Sequence, residues 1–182
     1  MKKLVIIAFV FFSQFANAQV TRNLGDFDEV KVFDKINVKL IEASENKIVV
    51  TGARADEVET VNKNGELKIR MPFPQLLSGD DIIVKLYFKN LESIAVSEGS
   101  YVSSEEDFKQ TSLDLNAKSG GEIKLEIDVD KVNIKANAGG KSEIHASILV
   151  DAKVRAGGSI FIYGKPKQIN KEVFIGGTIL EK

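Results

Sequence analysis

Cysteine is missing from the 182-residue sequence, and histidine occurs once, as His145. Without cysteine there can be no disulfide and no lipid-modified N-terminal cysteine. With a single histidine besides, the Cys/His ligand sets of zinc have nothing to draw on. An excess of one charge is also missing, since 25 basic side chains face 26 acidic ones. Nucleic acid or an anionic membrane would require a concentrated basic surface, so neither is expected as a partner. Long apolar runs are scarce as well. The longest, Leu4 to Phe12, has nine residues, against the roughly 20 that a spanning helix needs. No transmembrane segment is expected, and no cofactor is implied.

That one apolar run has a specific setting. Lys2 and Lys3 precede it, and Ala16-Asn17-Ala18 supplies a small-x-small cleavage site after it. This is the layout of a secretory signal. Residues 1–18 are read as a cleaved signal peptide, with Gln19 as the mature N-terminus and 19–182 as a single domain. Cleavage removes two lysines and no acid, leaving 23 basic against 26 acidic side chains. Export to the periplasm or the cell exterior follows, without a lipid anchor.

What the mature chain has in plenty is paired glycine at regular intervals. Gly120-Gly121, Gly139-Gly140, Gly157-Gly158 and Gly176-Gly177 follow one another at steps of 19, 18 and 19 residues, with Gly99 about one step upstream. Short apolar/polar alternations rich in Val and Ile fill the gaps. A fixed period with strand-like filling marks a solenoid. The expected fold is all-β, a single-stranded parallel β-helix with roughly 19-residue coils and glycine corners. An antiparallel sandwich would explain the alternation, but not the recurrence of the same pair. Stacked corners must repeat one backbone conformation, and a sharp corner with positive φ suits glycine. The expected inward ladders are Leu113, Val132, Val154 and Val173 before the corner, and Ile123, Ile144, Ile160 and Ile179 after it. Ala117, Ala136 and Ala156 are placed close to the corners.

The first half is less regular. Val30 to Ile41 reads as strand with Ile36, Val38 and Leu40 on one face, and Ile48 to Thr51 as the next strand. Ala53 to Thr60 reads as a short helical or irregular link. Asn64-Gly65 is a hairpin signal of type I′, leading into Glu66 to Arg70. Met71 to Asp81, with Pro72, Pro74 and Gly79, is the longest irregular stretch and the expected functional loop.

Three segments carry a family resemblance: Phe27-Asp28-Glu29-Val30 through Val38, Asn64-Gly65-Glu66-Leu67-Lys68-Ile69, and the glycine corners ending in Gly158 to Pro166. They resemble the GIN-domain family of autotransporter adhesin head domains, over roughly residues 22–179. The resemblance implies a β-helix of pectin-lyase-like character without a catalytic set, and a role in adhesion. That family's corners are typically Gly-Ser-Gly, whereas here they read Ser-Gly-Gly or Ala-Gly-Gly. No membrane barrel follows the last corner in this sequence, so a classical autotransporter route is not expected.

Candidate chemistry is sparse. Alternation sends His145 outward. Glu126, Asp128 and Asp130 alternate with Ile127 and Val129, which would align three carboxylates on one outer face. Solenoid glycosidases and lyases use such acids for general acid/base work or Ca²⁺, so these three are the weak catalytic or metal candidates. Glu105-Glu106-Asp107 is a second acidic cluster. Tyr101, Phe161, Tyr163 and Phe174 fall near the corners and are the candidate binding residues, for sugar stacking or, through Phe161 and Phe174, for a partner or oligomer face. Lys165, Lys167, Lys171, Lys182 and Pro166 crowd the C-terminal end, as charge placed against edge aggregation.

The expected function is an exported, non-enzymatic binding and adhesion module of the bacterial cell envelope or surface, with glycans or envelope proteins as partners. The alternatives are a polysaccharide-active, pectin-lyase-like enzyme and a structural envelope protein that forms homo-oligomers.

Overall fold

Each corner reverses the chain after a short strand, so successive strands fall alternately into two facing sheets. A computed structural model describes residues 19–104 and 108–182. The proposed leader and the acidic cluster Glu105-Glu106-Asp107 lie outside the described residues. The chain enters through β1 (Gln19–Asn23), β2 (Glu29–Val32), β3 (Asn37–Glu42) and β4 (Lys47–Thr51). A hairpin of β5 (Glu59–Lys63) and β6 (Glu66–Arg70) follows, then β7 (Ile83–Phe88). The regular part begins with β8 (Ser93–Val96) and β9 (Tyr101–Ser104), then β10 (Phe108–Lys118) and β11 (Glu122–Leu125). It continues through β12 (Ile127–Asn137), β13 (Lys141–His145), β14 (Leu149–Arg155) and β15 (Ser159–Tyr163). It closes with β16 (Gln168–Phe174) and β17 (Thr178–Glu181).

From β8 onward the chain is a parallel β-solenoid. In the eight-stranded sheet Leu115 lies over Ile94, Ile134 over Leu115, Ala152 over Ile134 and Lys171 over Ala152. Successive turns therefore take 21, 19, 18 and 19 residues. The nine-stranded sheet repeats the same steps through Val102, Ile123, Ser142, Ile160 and Ile179.

The corners explain the glycine pair. The residue before it and its first glycine are both left-handed: φ is 46° at Ala138 and 76° at Gly139, 51° at Ala156 and 81° at Gly157. The second glycine answers a different need. A Cβ at Gly140 would lie 2.2 Å from the Ala117 carbonyl oxygen of the coil beneath, and one at Gly158 2.4 Å from that of Ala136. One glycine of the pair permits the turn and the other permits the stacking.

The corner also sets the ladders, and two expected ones are corrected. Three residues before the first glycine come Val96, Ala117, Ala136, Val154 and Val173, so Val154 stacks on Ala136 and Val173 on Val154. Leu113 and Val132 continue instead into Val150 and Ile169. After the corner, buried Ser142 takes the place expected for Ile144, which stacks between Leu125 and Ile162. Ala156, expected close to the corner with Ala117 and Ala136, lies in the corner itself, exposed and left-handed like Ala138, whereas Ala117 and Ala136 are buried. Matching residue types between coils misplaces these positions because register is fixed by distance from the turn.

The N-terminal half does not stack in chain order. β2 and β3 lie between the β6–β7 coil on one side and the β8–β9 coil on the other. Beyond β7 the nine-stranded sheet ends in antiparallel β4 and β1, and beyond β6 the other sheet ends in antiparallel β5. This antiparallel cap closes a solenoid end whose strand edges would otherwise be open. The run Val30 to Ile41 is broken by a corner without glycine, at Asp34 and Lys35 with φ of 63° and 64°. The Asn64-Gly65 hairpin forms as expected, and the 53–60 link is turns over 53–57 and strand from Glu59, with no helix.

Candidate binding faces

Outward positions of the eight-stranded sheet form two polar columns, one rung of each per coil. The first runs Ser93, Asp114, Asn133, Asp151, Asn170, and the second Ala95, Asn116, Lys135, Lys153, Glu172. Within the first, Asn133 Nδ2 donates to Asp114 Oδ1 at 2.7 Å and Asn170 Nδ2 to Asp151 Oδ1 at 2.6 Å. Within the second, Lys153 pairs with Glu172 at 2.8 Å. That contact holds the Glu172 carboxyl below the usual carboxylate range. Asn116 Oδ1 is buried without a hydrogen-bond partner. Ser93, Asp114, Asn133 and Asp151 of the first column and Asn116, Lys135 and Lys153 of the second line a shallow trough of about 410 Å³ that crosses the coils.

The nine-stranded sheet has a different character. Phe161 and Tyr163 project side by side from β15. His145, exposed on β13, stacks on Tyr163 with ring centroids 5.1 Å apart. The Lys141 ammonium lies 5.6 Å from the Phe161 ring. It is held between Glu143 at 2.7 Å and Glu122 at 2.9 Å, and these contacts, Glu143 first, push its pKa up. Glu126, one of the three acids singled out in the sequence, lines a small hollow with His145, Tyr163 and Glu143.

These faces belong to a known lineage. The family described as "Putative auto-transporter adhesin, head GIN domain" matches residues 26–143. The chain belongs to the GIN-domain family. The match ends inside β13, while the stack of this GIN domain continues to Glu181. No curated protein matches the chain. Among solved structures, a "putative adhesin" from Bacteroides fragilis superposes with a TM-score of 0.59 at 15% identity, covering 91% of this chain and 97% of that one. Another from Parabacteroides merdae gives 0.50 at 16% identity, covering 91% and 95%. At these identities the likeness establishes a shared fold. Among the described residues no helix is long and apolar enough to cross a membrane.

The other residues singled out in the sequence are spread over this GIN domain. Tyr101 projects from β9, on the same face as Phe161 and Tyr163 but three strands away in the sheet. Phe174 projects from β16 in the opposite sheet, with Arg155 5.4 Å from its ring. Phe161 and Phe174 therefore do not share a face. Asp130 is exposed in β12, and the Asp128 side chain lies outside the described residues. Among the described residues no three His, Cys, Asp or Glu side chains form a metal-holding group.

Residues 71–82 leave the stack, and buried Asp34 holds them. Its Oδ2 accepts from the Met71 N–H and its Oδ1 from the Leu77 N–H, both at 3.0 Å. Its backbone carbonyl accepts from the Gly79 N–H at 2.8 Å. Arg54 donates to Ser78 Oγ at 2.9 Å and pairs with Asp81 at 3.2 Å. Phe73, 86% exposed, and half-exposed Leu76 and Leu77 are thus presented to solvent by an anchored backbone. Glu98, at the next corner, faces Asp34. Loss of hydration and then the Asp34 charge push its carboxyl pKa up, partly opposed by Lys118.

Sequence reasoning missed the trough residues, although a signal was present. Ser93, Asp114, Asn133, Asp151 and Asn170 each stand six residues before the first corner glycine. The period that announced the fold therefore also marked its polar column.

Proposed function

We propose that this protein is an exported, non-enzymatic binding and adhesion module of the bacterial envelope. The leader 1–18 is removed, and residues 19–182 act as one domain in the periplasm or at the cell surface. With no cysteine in the sequence, no lipid anchors it. The observation that carries this reading is the trough. It presents a row of polar side chains across several stacked coils, which suits an extended partner, a glycan or a segment of an envelope protein. Its acids Asp114 and Asp151 are each bonded to an asparagine, an arrangement for holding hydroxyls or amides in place. The family name and the adhesin relatives favour the same reading.

Purified mature protein is to be tested on a glycan array and on whole envelope fractions, with and without Ca²⁺, alongside a reducing-end assay. Saturable binding without new reducing ends is expected. Release of reducing ends would replace this reading with an enzymatic one and direct attention to Glu126.

A further inference from the structure

The first polar column has a repeat of its own, and the trough runs along it as far as Asp151. Asp114 bonds to Asn133, and Asp151 bonds to Asn170, so one Asp–Asn unit occupies two coils and the next unit the following two. With strands about 4.8 Å apart, the units recur every 9–10 Å along the solenoid axis. Each internal bond uses one asparagine N–H and one acceptor position of the aspartate. What each unit still offers is a carboxylate oxygen, an amide oxygen and a second amide N–H. A sugar hydroxyl both donates and accepts, and vicinal hydroxyls need such a mixed set.

Lys135, the register neighbour of Asn116, is exposed and lines the same trough. Charges of both signs lie along the trough, Asp114 and Asp151 beside Lys135 and Lys153, with Lys153 also paired to Glu172. A polyanion would meet the two aspartates, and a polycation the two lysines, so neither is favoured.

We infer that the trough takes a neutral, β-linked hexose chain laid along the solenoid axis, with one disaccharide per Asp–Asn unit. In such a chain alternate rings are turned over, and the two-ring repeat is close to two strand spacings. Asp114, Asn133 and Asp151, with exposed Asn170 on the next rung, hold the hydroxyls of one edge, while Lys135 donates to a ring or hydroxyl oxygen. This rests on the proposed binding function and narrows its ligand.

The test is an NMR titration of the mature protein with cellohexaose, maltohexaose and a polygalacturonate oligomer. Saturable shifts in the amides of β10, β12 and β14 with cellohexaose are expected. Binding should weaken at least tenfold in Asn133→Ala/Asn170→Ala, as expected when several hydrogen bonds are lost together. Both positions are outward and exposed, and unchanged thermal unfolding would show the variant to be folded. Equal or tighter binding of polygalacturonate, shifts confined to the His145–Tyr163 hollow, or no response to cellohexaose would each overturn the inference. If envelope fractions still bind in those cases, the adhesion reading stands with a different ligand. If they do not, both fall.

Discussion

Lys171 and Glu181 face each other across the last coil, one from each sheet, and the lysine ammonium donates to the glutamate carboxylate. Both occupy inward positions. Lys171 continues the ladder of Leu115, Ile134 and Ala152, and Glu181 that of Leu125, Ile144 and Ile162. The apolar core thus ends in a cross-sheet ion pair. An inward charge on a terminal strand discourages further stacking, because a second molecule would have to desolvate it. Of the lysines expected to guard this end, Lys171 is one that takes an inward register position. Replacing both residues, Lys171→Ile with Glu181→Leu, should produce concentration-dependent association relative to wild type in sedimentation velocity. An unchanged distribution would show that the pair is not the barrier.

The two glycines of a corner should respond differently to alanine. At Gly139 nothing lies within 4 Å of an added Cβ, and the cost is that of a left-handed alanine, about 1–2 kcal/mol. At Gly140 the Cβ would meet the Ala117 carbonyl at 2.2 Å, so two coils must separate. Gly140→Ala should cost about 3 kcal/mol or more. Urea unfolding of both variants measures the difference, and equal losses would refute the division of labour.

Ser142 sits in a ladder otherwise filled by Val102, Ile123, Ile160 and Ile179, fully buried, with an unpartnered hydroxyl. Removing that hydroxyl removes a desolvation cost. Ser142→Ala should stabilise the fold by about 1 kcal/mol. A loss of stability would mean that the hydroxyl is satisfied in solution, for instance by water.

Glu98 has a raised pKa in the folded state, through lost hydration and the neighbouring Asp34 charge. Its proton is therefore held more tightly in the folded chain than in the unfolded one. The stability linked to that proton is fully present below the ordinary glutamate pKa, and is lost as pH rises through the raised value. Glu98→Gln should melt above wild type at pH 7.5, with the gap closing by pH 4. Identical melting curves at both pH values would remove the coupling.

The anchored loop is open to a direct test. Asp34→Ala removes the acceptors of the Met71 and Leu77 amides. Hydrogen exchange at Met71 and Leu77 should accelerate by at least an order of magnitude, while that at Ile134 stays slow. Equal protection in the variant would place the anchor elsewhere.

Much of this protein was settled by short-range chemistry that its sequence states outright. Left-handed corners favour glycine, so Gly120, Gly139, Gly157 and Gly176 announced both the turns and their period. Alternation separated Ile134 from Lys135, and Asn64-Gly65 closed its hairpin, because these depend on a few adjacent residues. Other features rest on contacts between distant segments, which no local pattern encodes. The insertion of β2 and β3 between later coils, and the antiparallel β1, β4 and β5 that cover the solenoid end, are of this kind. The corner at Asp34 and Lys35 carries no glycine because the folded chain stabilises it through hydrogen bonds to residues some forty positions away. Ser142 in an isoleucine ladder, Glu126 beside Tyr163 and the meeting of Lys171 with Glu181 follow from register between coils. Register is decided by which backbones can stack closely, as the second glycine of each corner shows, and only the assembled structure decides that.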